Sequence, residues 1–198
     1  MGMAHVLRML FLVGLLAAAG CAPQLGLKIA VPNLPDPQRT VPSARGEGEP
    51  IRVRVGNFID GRRSDTIAVV DGREVASDSS IAPVVQEGFE RYFRNAGANV
   101  VLFNAPSIEG EVTEWRAAVI PKFPASEASA VARLKVEIRG AGARVAYRAT
   151  YSGEATSKHP FLSEDSIREL LATAMGSAIE EAVHDESLVI ALSNSRGE

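Results

Sequence analysis

Ala132-Arg133-Leu134-Lys135-Val136-Glu137-Ile138-Arg139 is the stretch that decides the fold, because apolar and charged residues alternate through it without a break. Side chains switch face at every residue of a β-strand, so this pattern predicts a strand with one buried and one solvated face. A second alternating run, Ala143–Ala155, follows Gly140 and Gly142. We expect the two runs to form an antiparallel hairpin.

The register of this hairpin is constrained by its two apolar faces. These faces coincide only if paired positions sum to an odd number, because a one-residue slip moves every side chain to the other face. We therefore expect Ile138 opposite Val145, Val136 opposite Tyr147, and a connecting loop with an even number of residues.

The outer face of the predicted hairpin carries five cations, Arg133, Lys135, Arg139, Arg144 and Arg148. The expected register sets Arg139 opposite Arg144 and Lys135 opposite Arg148, and directly opposed like charges destabilise a strand pair. One interpretation is that nearby glutamates neutralise this face in solvent. The alternative is that the five cations form a surface for an anionic partner.

Further strands are predicted at Ile51–Val55, around the turn Asp71-Gly72, at Val100–Phe103 and at Ile108–Ile120. Asp-Gly between apolar runs is typical of a two-residue β-hairpin loop. These elements indicate a largely antiparallel sheet.

Two major helices are expected. The first contains Pro83 in its first turn, is capped by Ser79 or Ser80, and ends at Gly97. Ser163 is expected to cap the second, and Asp185 to cap a last short helix. The sequence therefore predicts an α+β fold, a two-layer domain with a mostly antiparallel sheet and two major helices packed on one face.

The first residues of the chain have the form of an export leader. A positive n-region is followed by the apolar run Met9–Ala19, and the leader ends in Leu16-Ala17-Ala18-Ala19-Gly20-Cys21, which contains the only cysteine. The apolar run is about half the length that spans a bilayer. We interpret residues 1–20 as a lipoprotein signal peptide that is removed, and Cys21 as the lipid attachment site. Ala22 weakly favours the outer membrane over the inner membrane, with the domain in the periplasm.

Residues 21–50 are expected to form the lipidated N-terminus and a Pro-rich tether. A Pro-rich chain rises about 3.1 Å per residue, so the tether could hold the domain up to about 90 Å from the membrane. The run Leu25–Val31 alternates and is expected to dock as a short edge strand. Residues 51–198 then form a single α+β domain.

Composition argues against nucleic-acid binding. Without residues 1–20 the chain keeps 20 of its 21 Lys and Arg against 24 Asp and Glu, a formal charge of −4. Nucleic-acid-binding domains usually carry a basic surface. We expect membrane attachment through Cys21, an envelope protein as partner, and no nucleic acid.

The sequence favours a protein that is not an enzyme. His159 and His184 are the histidines left after the leader, and neither has a partner at the spacing of a zinc site. We expect no catalytic residues, no metal and no cofactor. Asp60 with Arg62 could clamp a ligand, or Asp60 could pair with Asp65 or Glu74, but turn formation is the favoured role of these residues.

Several segments resemble the YajG family of uncharacterised bacterial lipoproteins. The resemblance covers nearly the whole chain and involves the leader, Gly56, Asp60 and Arg62, the helix Pro83–Gly97, Tyr147-Arg148-Ala149-Thr150-Tyr151, and Asp185, Ser187 and Leu188. It implies an envelope location and a fold, and it brings no catalytic residues with it.

Three functions remain open. The favoured one is a noncatalytic adaptor or accessory binding module, which exposed aromatic side chains at Trp115, Phe123 and Phe161 would support. A small-molecule or lipid carrier would instead need a cavity between the layers, lined by Phe89, Phe93 and Leu171. A hydrolase is the least favoured.

Overall fold

The computed structural model describes residues 27–37, 50–70, 72–140, 144–159 and 163–195. Within these ranges the strands are β1 (Leu27–Ile29), β2 (Arg52–Asp60), β3 (Thr66–Val70), β4 (Arg73–Ser77), β5 (Asn99–Val100), β6 (Ser107–Ile120), β7 (Ser126–Arg139) and β8 (Val145–His159). The helices are α1 (Ala82–Asn95), α2 (Glu164–His184) and α3 (Glu186–Asn194). The predicted signal peptide and Cys21 lie outside the described residues.

The strands form two sheets. The larger has the order β5-β2-β6-β7-β8, in which β2 runs parallel to both neighbours and β6, β7 and β8 are antiparallel. The smaller has the order β1-β4-β3, and β3 and β4 form the hairpin predicted from Asp71-Gly72. The α+β class is confirmed, with a mixed sheet.

Helices α1 and α2 pack on the larger sheet and bury its apolar face. On α1, the ring of Phe89 stacks on Phe58 of β2 with 4.8 Å between ring centroids. On α2, the backbone approaches β8 so closely that a Cβ at Gly153 would lie 2.0 Å from the carbonyl oxygen of Ala174. A glycine at this position lets helix and strand meet.

The predicted hairpin of β7 and β8 is present, and its apolar faces coincide as expected. The register differs, because Ile138 lies opposite Tyr147 rather than Val145. An irregularity follows at Arg139, which lies opposite Val145. A bulge of this kind adds one residue to a strand and reverses the parity of the pairing. The expected even loop is therefore wrong, because Arg139 and Val145 are joined by five residues.

The same shift removes the expected like-charge pairs. Lys135 lies opposite Thr150 and Arg139 opposite Val145. Arg148 lies opposite Glu137. Between β7 and β8, neither of the expected like-charge pairs forms, and Arg148 faces a residue of opposite charge.

The helix ends agree only in part with the sequence prediction. Ser163 caps α2 by accepting a hydrogen bond from the Ser166 amide at 3.1 Å, and Asp185 caps α3, both as expected. The residue before α1 is Ile81, so the predicted cap at Ser79 or Ser80 is wrong, although Ser80 Oγ accepts from the Ala82 amide at 3.2 Å.

The predicted strand Val100–Phe103 is also corrected. The strand is Asn99–Val100, and the apolar side chains of Leu102 and Phe103 are exposed beyond it. Their hydrophobic character suggested a buried strand, but no neighbouring element covers them among the described residues.

The edge strand predicted within Leu25–Val31 is confirmed at Leu27–Ile29, while Leu25 and Gly26 lie outside the described residues. β1 pairs in parallel with β4, and Leu34 is buried against the helices. Residues 27–37 therefore belong to the packed structure, although the sequence placed them within the tether.

Candidate functional site

A cleft of about 570 Å³ opens between the beginning of β8 and α3. It is lined by Gly140, Arg144, Val145, Ala146 and Tyr147 on one side, and by Ser187, Ile190, Ala191, Asn194 and Ser195 on the other. Two apolar side chains of the lining are accessible, Ile190 at 57% and Val145 at 37% exposure. The cleft thus offers both apolar and polar surface to a ligand.

The strand wall of the cleft is a sheet edge. Among the described residues, β8 is the last strand of the larger sheet and pairs with β7 on one side only. An edge strand presents main-chain N–H and C=O groups that another extended segment can bind. The cleft therefore combines a free strand edge with a facing helix.

A cluster of three side chains fixes these two walls to each other. Tyr147 and Tyr151 lie four residues apart on β8, and both hydroxyls donate to Asp185 Oδ2, at 2.7 and 2.5 Å. Asp185 Oδ1 accepts from the Ser187 amide at 2.8 Å and so caps α3. This cluster joins two of the segments that carry the YajG resemblance.

The ionisation of the cluster is set by burial and hydrogen bonding. Burial, reinforced by the bond to Asp185, raises the pKa of Tyr151 above its ordinary value. Burial would raise the pKa of Asp185, but the hydroxyls of Tyr151 and Tyr147 and the backbone amides of Ser187 and Leu188 together lower it. A carboxylate held in this way is a structural anion, because its oxygens are already occupied.

Arg144 differs from the other four predicted cations. Among the described residues it has no carboxylate partner within salt-bridge distance, and it lies on the rim of the cleft. Its guanidinium is therefore available to an anionic group that enters the cleft.

The remaining four cations form ion pairs across the outer face of the sheet. The shortest distances are 2.7 Å for Arg133 to Glu114, 4.0 Å for Lys135 to Glu111, 3.1 Å for Arg139 to Glu109 and 2.8 Å for Arg148 to Glu137. These contacts agree with the interpretation that glutamates neutralise the outer face. The alternative, a surface of five cations for an anionic partner, stays a prediction.

Asp60 and Arg62 form an ion pair below the small sheet. Arg62 Nε and Nη2 lie 2.8 and 2.7 Å from the two oxygens of Asp60, and Nη2 also donates to Ser77 Oγ at 3.2 Å. The guanidinium lies over the ring of Trp115 and only 7% of the Arg62 side chain is exposed. The hydrogen bond from Arg62 lowers the pKa of Asp60 despite partial burial. This pair joins β2 to β4 and β6.

The three aromatic side chains expected to distinguish an adaptor from a carrier differ in their exposure to solvent. Trp115 is buried, and its Nε1 donates to the Leu171 carbonyl at 3.1 Å. Phe123, at the turn between β6 and β7, is 99% exposed. Phe161 lies outside the described residues.

The position proposed for a carrier cavity is filled. Phe89, Phe93 and Leu171 are all buried in the core, and the ring centroids of Phe89 and Phe93 are 6.2 Å apart. The side chains that would line such a cavity instead pack on one another.

The histidines and acidic residues do not assemble a metal site in the part of the chain that the structure describes. His184 Nδ1 lies 2.7 Å from the carbonyl oxygen of Glu180, one turn earlier in α2. Over the same residues, no helix is both long and apolar enough to traverse a bilayer.

The structure was compared with solved structures of bacterial proteins. A Xanthomonas campestris protein of the family DUF330 has a TM-score of 0.58 and 13% identity, and the alignment covers 86% of this chain and 99% of that one. A minor lipoprotein from Acinetobacter baumannii has a TM-score of 0.40 and 9% identity, covering 74% and 92% of the two chains. A Caulobacter crescentus protein described as a lipoprotein has a TM-score of 0.37 and 11% identity, covering 58% and 82%.

The similarity to the Xanthomonas campestris protein establishes a shared fold. At 13% identity it does not transfer an activity, because one fold can support many functions. No family model and no curated protein matches the sequence. The YajG resemblance therefore stays a resemblance.

Proposed function

We propose that this protein is a lipid-anchored protein of the bacterial cell envelope and acts as a noncatalytic adaptor. Acylated Cys21 would hold it on the outer membrane with its domain in the periplasm. The cleft between β8 and α3 would bind an extended segment of another envelope protein.

The anchoring part of the proposal is supported by the leader. A short positive region, an apolar run too short to span a bilayer, and small residues before the only cysteine form one continuous signal. Several acyl chains on one residue would give stable attachment, since a single chain binds membranes only reversibly.

The observation that carries the adaptor proposal is the pairing of a free strand edge with a facing helix. Proteins bind extended peptides in such grooves, where the main chain adds to the sheet and pockets select side chains. Arg144 provides a cation at the rim, and Ile190 provides apolar surface. We therefore expect the bound segment to carry a carboxylate close to an apolar side chain.

The two alternative functions are less well supported. A carrier would need the space that Phe89, Phe93 and Leu171 fill. A hydrolase would need a free base beside a nucleophile, whereas Asp185, the carboxylate next to the cleft, already accepts hydrogen bonds on both oxygens.

Site-specific photo-crosslinking in the native envelope tests this proposal. A photo-reactive residue replaces Ile190 in the cleft, and in a matched control it replaces Glu87, an exposed residue of α1. We expect a discrete protein adduct from position 190 that is missing from position 87. The adduct should decrease strongly when Arg144→Glu is added, and its crosslinked peptide should contain an acidic residue.

Two results would count against the adaptor. Identical adducts from positions 190 and 87 would show that the cleft has no selective role. Lipid adducts at position 190, without protein adducts, would favour the carrier.

A further inference from the structure

The segment that precedes the domain is held firmly on the helices. Arg91 Nη2 donates to the carbonyl oxygens of Leu34 and Pro35 at 2.7 and 3.1 Å, and the Tyr92 hydroxyl donates to the Pro35 carbonyl at 3.1 Å. We call Ala30–Pro37 the strap. Its main-chain carbonyls are thus bound by side chains of α1.

Two glycines shape the surface under the strap. A Cβ at Gly88 of α1 would lie 2.6 Å from Leu34 Cδ1, and one at Gly176 of α2 would lie 2.9 Å from Pro35 Cγ. Leu34 is 5% exposed. Both helices therefore leave room for strap side chains, and the strap is part of the core.

The direction of β1 shows at which end of the small sheet the chain from Cys21 enters the domain. β1 runs parallel to β4, with Leu27 opposite Val75 and Ile29 opposite Ser77. Leu27 therefore lies at the end of β1 that is nearer to the turn joining β3 to β4, and β1 begins at that end. We call the end of the hairpin at Val70, Gly72 and Arg73 the hairpin tip.

The length of chain between the anchor and β1 is short. Six residue steps separate Cys21 from Leu27, and a fully extended chain covers at most about 3.3 to 3.6 Å per residue, or about 20 Å in total. A free tether from residue 21 to residue 50 would reach several times farther. Docking of the strap removes most of that reach.

The candidate cleft lies at the other end of β2. The base of the hairpin is next to the end of β2, where Arg62 contacts Ser77. The cleft is next to the beginning of β2, because Arg54 pairs with Ser107 and Ser107 pairs with Arg139 beside Gly140. The nine residues of β2 span about 30 Å.

We infer that the domain is moored close to the bilayer with its hairpin tip towards the lipid surface and its cleft directed away from it. Lys28 and Arg73, both exposed, lie at the moored end and suit anionic lipid headgroups. This inference rests on the proposed acylation of Cys21. It makes the cleft accessible to partners on the side away from the anchoring membrane.

Distance measurements on the acylated full-length protein in phosphatidylglycerol-containing vesicles test the inference. Because Cys21 is the only cysteine, Arg73→Cys and Ser193→Cys each provide a unique site for a fluorophore when Cys21 is acylated. Energy transfer to an acceptor in the lipid headgroups should be strong from position 73 and weak from position 193.

Two insertions of equal length then separate a docked strap from a free tether. Twenty Gly/Ser residues inserted after Ala22 should greatly reduce transfer from position 73. The same insertion after Thr40 should leave transfer unchanged, because it only lengthens a connection within the domain. A free tether would make both insertions act alike.

The outcomes distinguish this inference from the proposed function. If mass spectrometry finds Cys21 without acyl chains, both fail together. If Cys21 is acylated but the two insertions act alike, or positions 73 and 193 show equal transfer, the mooring is refuted and the adaptor proposal stands.

Discussion

Replacement of Asp185 by alanine tests the junction that holds α3 against β8. The substitution removes the acceptor of the Tyr147 and Tyr151 hydroxyls, and it removes the cap of α3. Loss of an N-cap costs about 1 kcal/mol. A hydrogen bond to a charged group contributes about 1.5 to 3 kcal/mol. Because Tyr147 is only half-buried, we expect a total loss of about 3 to 4 kcal/mol in the free energy of unfolding.

The free energy of unfolding is measured by urea denaturation of the chain from residue 22 onward, with circular dichroism as the signal. For a domain of this size, the expected loss corresponds to a decrease of about 10 °C in Tm. Tyr147→Phe is the matched control and should cost about 1 kcal/mol, because Asp185 keeps its bond to Tyr151 and its capping role. A loss below about 1 kcal/mol for Asp185→Ala would refute this account, since only the cap would then contribute.

Three further predictions concern other parts of the domain. Gly153→Ala should destabilise the domain by about 3 kcal/mol or more in the same denaturation assay, because the added Cβ would collide with the backbone of α2. Gly140→Ala is the control and should be nearly neutral, because its Cβ would lie 3.5 Å from the nearest atom. Burial and the charge of Glu180 raise the pKa of Tyr92 from 10.0 to about 12. The contribution of Tyr92 to stability should therefore be complete below about pH 10 and decrease as the pH rises towards 12. Tyr92→Phe should make the alkaline loss of stability smaller, and the raised pKa of Tyr151 should account for part of the loss that remains; an unchanged profile would contradict the assignment. Arg148→Ala should lower the free energy of unfolding by less than about 1 kcal/mol, because the ion pair with Glu137 is exposed to solvent. Binding to anionic vesicles should be unchanged. A marked loss of vesicle binding would support the anionic-partner surface.

The sequence predicted the elements whose periodicity is strong. From Ala132 to Arg139, β7 alternates between apolar and charged residues without interruption, and burial alternates accordingly. The caps Ser163 and Asp185 were recognisable because their side chains bond to local backbone amides. Local chemistry of this kind does not depend on the rest of the fold.

The register of β7 and β8 could not be predicted in detail. The odd sum of paired positions follows from the apolar faces, but many registers satisfy it, and the bulge at Arg139 reverses the parity locally. The parallel position of β2 between β5 and β6 was likewise not visible, because strand order depends on contacts far apart in the sequence.

The candidate cleft was missed by the sequence reasoning. Tyr147 and Asp185 are 38 residues apart, and neither position carries a catalytic or metal-binding motif. A usable signal did exist, since both lie in segments singled out for their family resemblance. The strap was missed for a similar reason, because a Pro-rich composition does not reveal that Gly88 and Gly176 leave room for it.

The most direct test of the central claim is the intact mass of the protein purified from the membranes of a cell that produces it. The account predicts a chain that lacks residues 1–20 and carries acyl chains on Cys21. An intact leader, or a processed chain with a free Cys21 thiol, would contradict it.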